Sequence, residues 1–212
     1  MKDIPVFDTE TGVSTLVLKE VPYKQVAYVT VRSVQPGGLG EHLKECAAFC
    51  RMCGAEIVLA TGHPELEDLP IYCKVLVMGT DPADWAAPGR LEPVTAETVG
   101  RWREIYNDRM RPVDDAATLT ARDEKRIVSS GGAYFVSDGD THLGIGWVEG
   151  EKLLAVASVV PGAGEKVLRS LMTLSWAGMT LDVASTNARA IALYERLGFT
   201  VKGTRTVWYR IR

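Results

Sequence analysis

The 212-residue sequence has no excess of positive charge: 24 Lys and Arg stand against 27 Asp and Glu, giving a formal charge of −3. Duplex binding draws on a basic surface that displaces counterions, so nucleic acid is not an expected partner. No apolar run approaches the span of a membrane helix, and the opening "MKDIPVFDTETG" lacks the charged-then-apolar layout of a secretion signal. The expectation is a cytoplasmic chain with no membrane partner. Histidine is scarce; His42, His63 and His142 have no neighbour at metal-ligand or triad spacing. The four cysteines are Cys46, Cys50, Cys53 and Cys73, and C-x-x-C does not occur twice. The first three fall along one face of a helical stretch, where buried reduced thiols that pack as small apolar groups are expected, with no metal and no disulfide framework.

What the sequence has is enough apolar residue, 46%, for a sizeable core in one large domain or two small ones. Three prolines and two glycines cluster in "GTDPADWAAPGRLEP" and place a boundary near residue 87, giving domains at 1–87 and 88–212. Before it, "STLVLKEV", "VAYVTVRSV", "EIVLATG" and "IYCKVLVMG" read as strands and "LGEHLKECAAFCRMCG" as a helix. After it, "VTAETVGRWREIYNDRM" and "DDAATLTARDEKRI" read as helices and "GAYFVSDGDTHLGIGWVEGEKLLAVASVV" as three strands. A helix from Glu165, the strand "TLDVAS", the helix "NARAIALYERLG" and a closing hairpin "TVKGTRTVWYRI" follow. The fold class expected is α/β, with a mixed sheet flanked by helices.

One loop occurs twice. With a one-residue gap, Ser33, Val34, Pro36, Gly37, Gly40 and Glu41 match Ser158, Val159, Pro161, Gly162, Gly164 and Glu165; further on, Gly54 and Ala60 match Gly178 and Ala184. The pattern suggests an internal repeat of a strand-loop-helix-strand unit. Each copy reads either as a tight turn or as a phosphate-binding loop at a helix N-terminus. A dinucleotide-binding reading does not fit, because Val167 stands where the third glycine of G-x-G-x-x-G belongs and too little chain follows to build that fold.

The stretch "LDVASTNARAIALYERLGFTVKG" resembles the closing motif of the GNAT superfamily of N-acetyltransferases, through Asn187, Ala190, Leu193, Tyr194, Gly198 and Phe199. The element order from residue 91 onward resembles that family too. The resemblance implies a GNAT-like, mainly antiparallel sheet flanked by helices, preceded by a partial GNAT-like unit, with acetyl-CoA as cosubstrate and no metal. It also implies that Asn187 meets the pantetheine arm while capping its helix, and that Tyr194, a neutral phenol, protonates the departing thiolate. Family members carry a Q/R-x-x-G-x-G/A loop whose N–H groups face the pyrophosphate. Here Gly162, Ala163 and Gly164 keep the G-x-G portion, but they follow Pro161 directly, so the loop is shortened and its arginine or glutamine is missing. Lys166 and Arg169 are the candidates to replace that cation, on a helix whose first turn also carries the acidic Glu165.

On this reading, backbone N–H groups near Val159 and Val160 stabilise the oxyanion as an amine attacks the acetyl carbonyl, and Tyr194 serves the thiolate. The base is open among Ser158 through water, Asp182, Glu104 and Asp108. The family's acceptor site falls on "GRWREIYNDRMRPVDD", where Trp102, Tyr106 and Asp108 suit an amine, though Trp102 and Tyr106 also fit a buried helix face. A small-molecule amine is the expected acceptor, ahead of a protein amine. The rival is a non-catalytic acyl-CoA-binding or interaction module that keeps the fold.

Overall fold

A computed structural model describes residues 5–82 and 86–212. Internal contacts divide the chain into two compact units, Met1–Lys74 with Thr206–Arg212, and Val75–Arg205. Residue 87, where proline and glycine content places a boundary, lies inside the second unit. Residues 83–85 of that proline-rich stretch, and residues 1–4 of the opening segment, are outside the described residues.

The first unit runs β1 (Val6–Asp8), β2 (Gly12–Val17), the one-turn helix α1 (Val21–Lys24), β3 (Val26–Val34), α2 (Leu39–Met52) and β4 (Ile57–Thr61), with a 3₁₀ turn at Pro64–Asp68. The β1–β2 and β2–β3 pairs are antiparallel and β3–β4 parallel, and residues 209–211 lie antiparallel beside β4. Leu39, Leu43, Cys46, Ala47 and Cys50 recur at helical spacing on the inner face of α2 and pack on Leu16, Val29 and Val58. The cysteine expectation concerned this face. Cys46 and Cys50 are buried, and burial pushes their thiols up to about 11 and about 12, while Cys53 is exposed at the helix end.

The second unit takes in β5 (Ile71–Thr80) from Val75 on, β6 (Arg90–Pro93), α3 (Val99–Met110), α4 (Ala121–Ser130), β7 (Ala133–Asp138), β8 (Thr141–Glu149), β9 (Lys152–Ser158), α5 (Gly164–Met172), β10 (Met179–Ala184), α6 (Ala188–Arg196) and β11 (Thr200–Ile211) as far as Arg205. Its strands lie in the order β5-β10-β9-β8-β7-β6. Only β9–β10 is parallel among the registered pairs of this unit. One core lies under α5, with Leu168, Leu171, Met78 and Phe199; another lies under α3 and α4, with Trp102, Ile127, Phe135 and Trp147. Among the described residues, no helix is long and apolar enough to cross a membrane.

Besides β1 and α1, which the sequence reading did not include, three elements differ from it. The closing hairpin is one strand, β11, because Gly203 continues extended backbone where its sequence reads as a turn. The helix read from Asp114 starts only at Ala121, where Thr120 and Asp123 form a reciprocal capping box; the preceding residues form a loop. The short strand β6 carries Pro93 at its end, which hid it in the proline-rich stretch.

The two matched loops have similar local geometry. Gly37 and Gly162 both have positive φ, +75° and +81°, and Gly54 and Gly178 stand at +96° and +95°. Gly38 and Ala163 cap α2 and α5 with nearly the same backbone angles. Each loop joins a strand to a helix that returns to a parallel strand. One difference separates the copies: β3 and β4 stay paired over five residue pairs, whereas β9 and β10 pair at only two.

Candidate active site

The site begins with that short pairing. β9 and β10 meet at Thr180↔Lys152 and Leu181↔Leu153. At the next residue β9 bulges: Val148 of β8 faces Leu153 and Trp147 faces Ala155, leaving Leu154 as the extra residue. A bulge bends its strand and increases the local twist, so β9 turns away from β10 there. Each strand remains held at its outer edge, β9 by β8 as far as Ser158 and β10 by β5 as far as Ala184. The diverging ends open a cleft of about 970 Å³, lined by Ala155–Ser158, Leu181–Ala184, the loop through Gly162, residues 109–117, and α6.

Backbone direction in the cleft follows from register. Val159 donates its N–H to Leu143 O at 2.8 Å, and Val160 donates to the same oxygen at 3.5 Å. Both expected oxyanion donors therefore face β8. Antiparallel alternation turns the N–H groups of Val156 and Ser158 to the opposite edge, from which β10 diverges.

On α6, Asn187 accepts a bond from Ala190 N–H at 3.2 Å through Oδ1, which completes its N-cap role and leaves its NH₂ group with no partner among the described residues. Tyr194 is buried about two helical turns further on along the same face, its ring tilted against Phe199 at 5.7 Å. Its hydroxyl has no partner among the described residues, and the side chain lines the cleft. Burial pushes its pKa up to about 12, so the phenol is neutral and holds a proton at any physiological pH.

In the phosphate-type loop, Gly162 needs its left-handed φ, and Gly164 lets Leu193 approach to where a Cβ would sit 3.3 Å from it. Both glycines line the cleft; Ala163 is not among the lining residues. Lys166 is held by Asp138 and points out of the cleft, and Arg169 is paired with Glu165 at 3.1 Å. Glu165 lines the cleft with its charge balanced by that arginine.

Of the expected acceptor residues, Tyr106 lines the cleft. Trp102 is fully buried, donates its indole N–H to Tyr134 O at 3.1 Å and stacks on Tyr106 at 5.7 Å, so it belongs to the core. Asp108 is exposed, lies 3.5 Å from Arg109 and is absent from the cleft, as is Glu104. Asp182 lines the cleft but is clasped by Lys152 at 2.7 Å and Arg205 at 3.0 Å. Sequence reasoning missed Arg109, Arg189, Arg196, Asp114 and Asp115, all at the cleft wall. Asp114 accepts a 2.7 Å bond from Thr186 and so ties the loop after α3 to the end of β10. Arg189 and Arg196 lie on the motif helix α6 and Arg109 in the last turn of α3, where the sequence does not show which side of each helix faces the cleft; Asp114 and Asp115 sit in the loop after α3, whose position the sequence does not indicate.

No family model and no curated protein matches the sequence. Similar solved structures include a GCN5-related N-acetyltransferase from Sphaerobacter thermophilus, 15% identical, covering 95% of this chain and 76% of that one with a TM-score of 0.59. A GCN5-related N-acetyltransferase from Kribbella flavida is also 15% identical, covering 99% and 90% with a TM-score of 0.58. An acetyltransferase from the GNAT family of Colwellia psychrerythraea is 13% identical, covering 98% and 84% at 0.52. The chain has the GCN5-related N-acetyltransferase fold, with the mixed, mainly antiparallel sheet that the sequence motif implies.

Proposed function

We propose that this protein transfers an acetyl group from acetyl-CoA to a primary amine of a small molecule, in the cytoplasm, without a metal. The observation that carries the reading is the cleft between diverging parallel strands, with the free amide of Asn187 and the neutral phenol of Tyr194 on its wall. A pantetheine arm laid between β9 and β10 would complete the interrupted pairing, meeting the N–H groups of Val156 and Ser158 and the Asn187 amide. Those N–H groups, one or both, then receive the oxyanion that forms as the amine attacks the thioester carbonyl. As the carbon–sulfur bond breaks, the thiolate takes the Tyr194 proton, and the proton shed by the attacking nitrogen returns through water in the open cleft to the phenolate, so the step ends in amide, free thiol and neutral Tyr194. The amine enters on the side of Tyr106 and the loop after α3. Residues Gly162 and Gly164 let the phosphates approach the start of α5, whose first N–H groups lack helical partners.

The non-catalytic reading draws support from one feature: Asp182, the carboxylate on β10, is held by two cations, and Glu104 and Asp108 lie off the cleft. Calorimetry with acetyl-CoA followed by thiol release with a panel of amines separates the readings. Binding with turnover of at least one amine supports the enzyme; binding without turnover across the panel supports the acyl-CoA-binding module, and no heat at millimolar acetyl-CoA removes both and leaves an interaction module that keeps the fold.

A further inference from the structure

A shortened phosphate loop leaves an anionic ligand without its usual cation, and the two nearest candidates on α5 are committed elsewhere, Lys166 to Asp138 and Arg169 to Glu165. Three arginines line the cleft. Arg109 lies 3.5 Å from Asp108 and donates to Val159 O, and Arg196 donates to Ala192 O at 3.2 Å within its own helix. Arg189 alone of the three has no hydrogen bond, ion pair or ring contact among the described residues. It stands in the first turn of α6, two residues after Asn187, and its side chain is exposed at the cleft wall.

This placement is electrostatically odd for a merely solvated residue. A cation in the first turn of a helix opposes the helix dipole, which favours anions there, so Arg189 is slightly unfavourable where it stands unless an anion joins it. Of the carboxylates at the same cleft, Glu165 is paired with Arg169, Asp182 with Lys152 and Arg205, and Asp114 accepts from the Thr186 hydroxyl; none of these contacts involves Arg189. A guanidinium beside a helix N-terminus, with its donors unspent, is suited to bind phosphate oxygens in a bidentate way.

Resting on the acyl-CoA reading above, we propose that Arg189 is the phosphate anchor of this site, replacing from α6 the cation that the loop before α5 has lost. The phosphate it binds belongs either to the pyrophosphate or to the 3′-phosphate of CoA, and both share the chemistry of a dianionic or bridged phosphate facing a guanidinium. The anchor grips the ligand away from the thioester, so it acts on affinity and not on the chemical step.

The test is calorimetry of wild type, Arg189→Ala and Arg189→Lys with acetyl-CoA, 3′-dephospho-acetyl-CoA and acetyl-pantetheine, at low and high salt. Removing a charge-assisted contact at an exposed wall should weaken acetyl-CoA binding about tenfold in Arg189→Ala, with partial recovery in Arg189→Lys. The difference should shrink in high salt, where exposed charges are screened, and acetyl-pantetheine should bind all three proteins alike. If the dephospho ligand shows no loss on Arg189→Ala, the 3′-phosphate is the partner; if it shows the full loss, the pyrophosphate is. Equal acetyl-CoA affinity in wild type and Arg189→Ala overturns the anchor while leaving the acyl-CoA reading intact. Wild type that binds no acetyl-CoA overturns the reading and the anchor together. Arg189 is exposed and unbonded, so the variants should melt with the wild type, and a lowered melting temperature with equal loss of acetyl-pantetheine would also count against the anchor.

Discussion

At the scale of single residues, the account places two demands on α6. Tyr194 must be buried enough to stay neutral yet open to the cleft, and its environment of Phe199 and the core under α5 meets both. Tyr194→Phe removes only the hydroxyl, which has no partner among the described residues, so stability should hold while turnover falls about 10²-fold and acetyl-CoA affinity changes little. Steady-state kinetics and calorimetry on the same preparation check this; unchanged turnover contradicts the proton-donor role. Asn187 combines a structural bond with a proposed ligand contact. Asn187→Ala should cost about 1 kcal/mol through the lost cap and weaken acetyl-CoA as well. Asn187→Asp should keep the cap while removing the amide donors, so a variant that melts like wild type but binds acetyl-CoA poorly is the expected outcome of paired melting and binding measurements. The motif residues Asn187 and Tyr194 were legible in the sequence because one helical pattern fixes both. Trp102 and Asp108 were not separable from Tyr106 there, since all three lie on the same short helix and only packing reveals which side faces the cleft.

Among the elements, β9 decides whether a site exists. Strand, loop, helix and parallel strand were readable from alternation, Pro-Gly pairs and the periodicity of "EKVLRSLM", but the bulge at Leu154 was not. A bulge is a property of two strands in register, and nothing in "KLLAVAS" alone marks the extra residue. The same limit explains the misread end of the chain: the twelve-residue β11 is extended because its neighbours pair with it, while its glycine reads locally as a turn. Gly144 offers an element-scale test. It sits opposite Ser158 at the end of β9, and a Cβ there would come 2.2 Å from Ala157 O, a backbone atom that cannot rotate away. Gly144→Ala should therefore push β9 out of its position beside the cleft. A fall in melting temperature of several degrees with a larger loss of acetyl-CoA affinity than Arg189→Ala is expected; wild-type binding in a correctly folded Gly144→Ala protein would show that the end of β9 does not shape the site.

Across the whole molecule, the two copies of the loop differ in what fills the space beside them. In the first copy, Gln35 N–H bonds Thr11 O at 2.8 Å, and His42, one residue after the matched glutamate, is buried between Thr9 Oγ1 at 2.8 Å and Ser14 Oγ at 2.7 Å. The turn between β1 and β2 thus packs against the helix start, and β3 and β4 stay paired where β9 and β10 diverge; we propose that this first copy does not bind CoA. Burial lowers the pKa of His42 below its ordinary 6.5, so the unfolded chain takes up a proton that the folded chain refuses. The stability this contributes is full above pH 6.5 and is lost as pH falls through the lower folded value; His42→Gln should flatten the acid side of a melting-temperature profile, and an unchanged profile would refute it. At the alkaline end, Tyr194 titrates near 10 unfolded and about 12 folded, so its contribution is full below pH 10 and lost as pH rises through 12. The central claim is that acyl-CoA lies between β9 and β10, and a crystal structure of the protein grown with acetyl-CoA tests it most directly. The account predicts the pantetheine arm between those strands, the thioester sulfur within hydrogen-bond reach of the Tyr194 hydroxyl, and phosphate at Arg189. Ligand bound at the loop of Pro36, or acetyl-CoA in the cleft with its sulfur far from Tyr194, would contradict it.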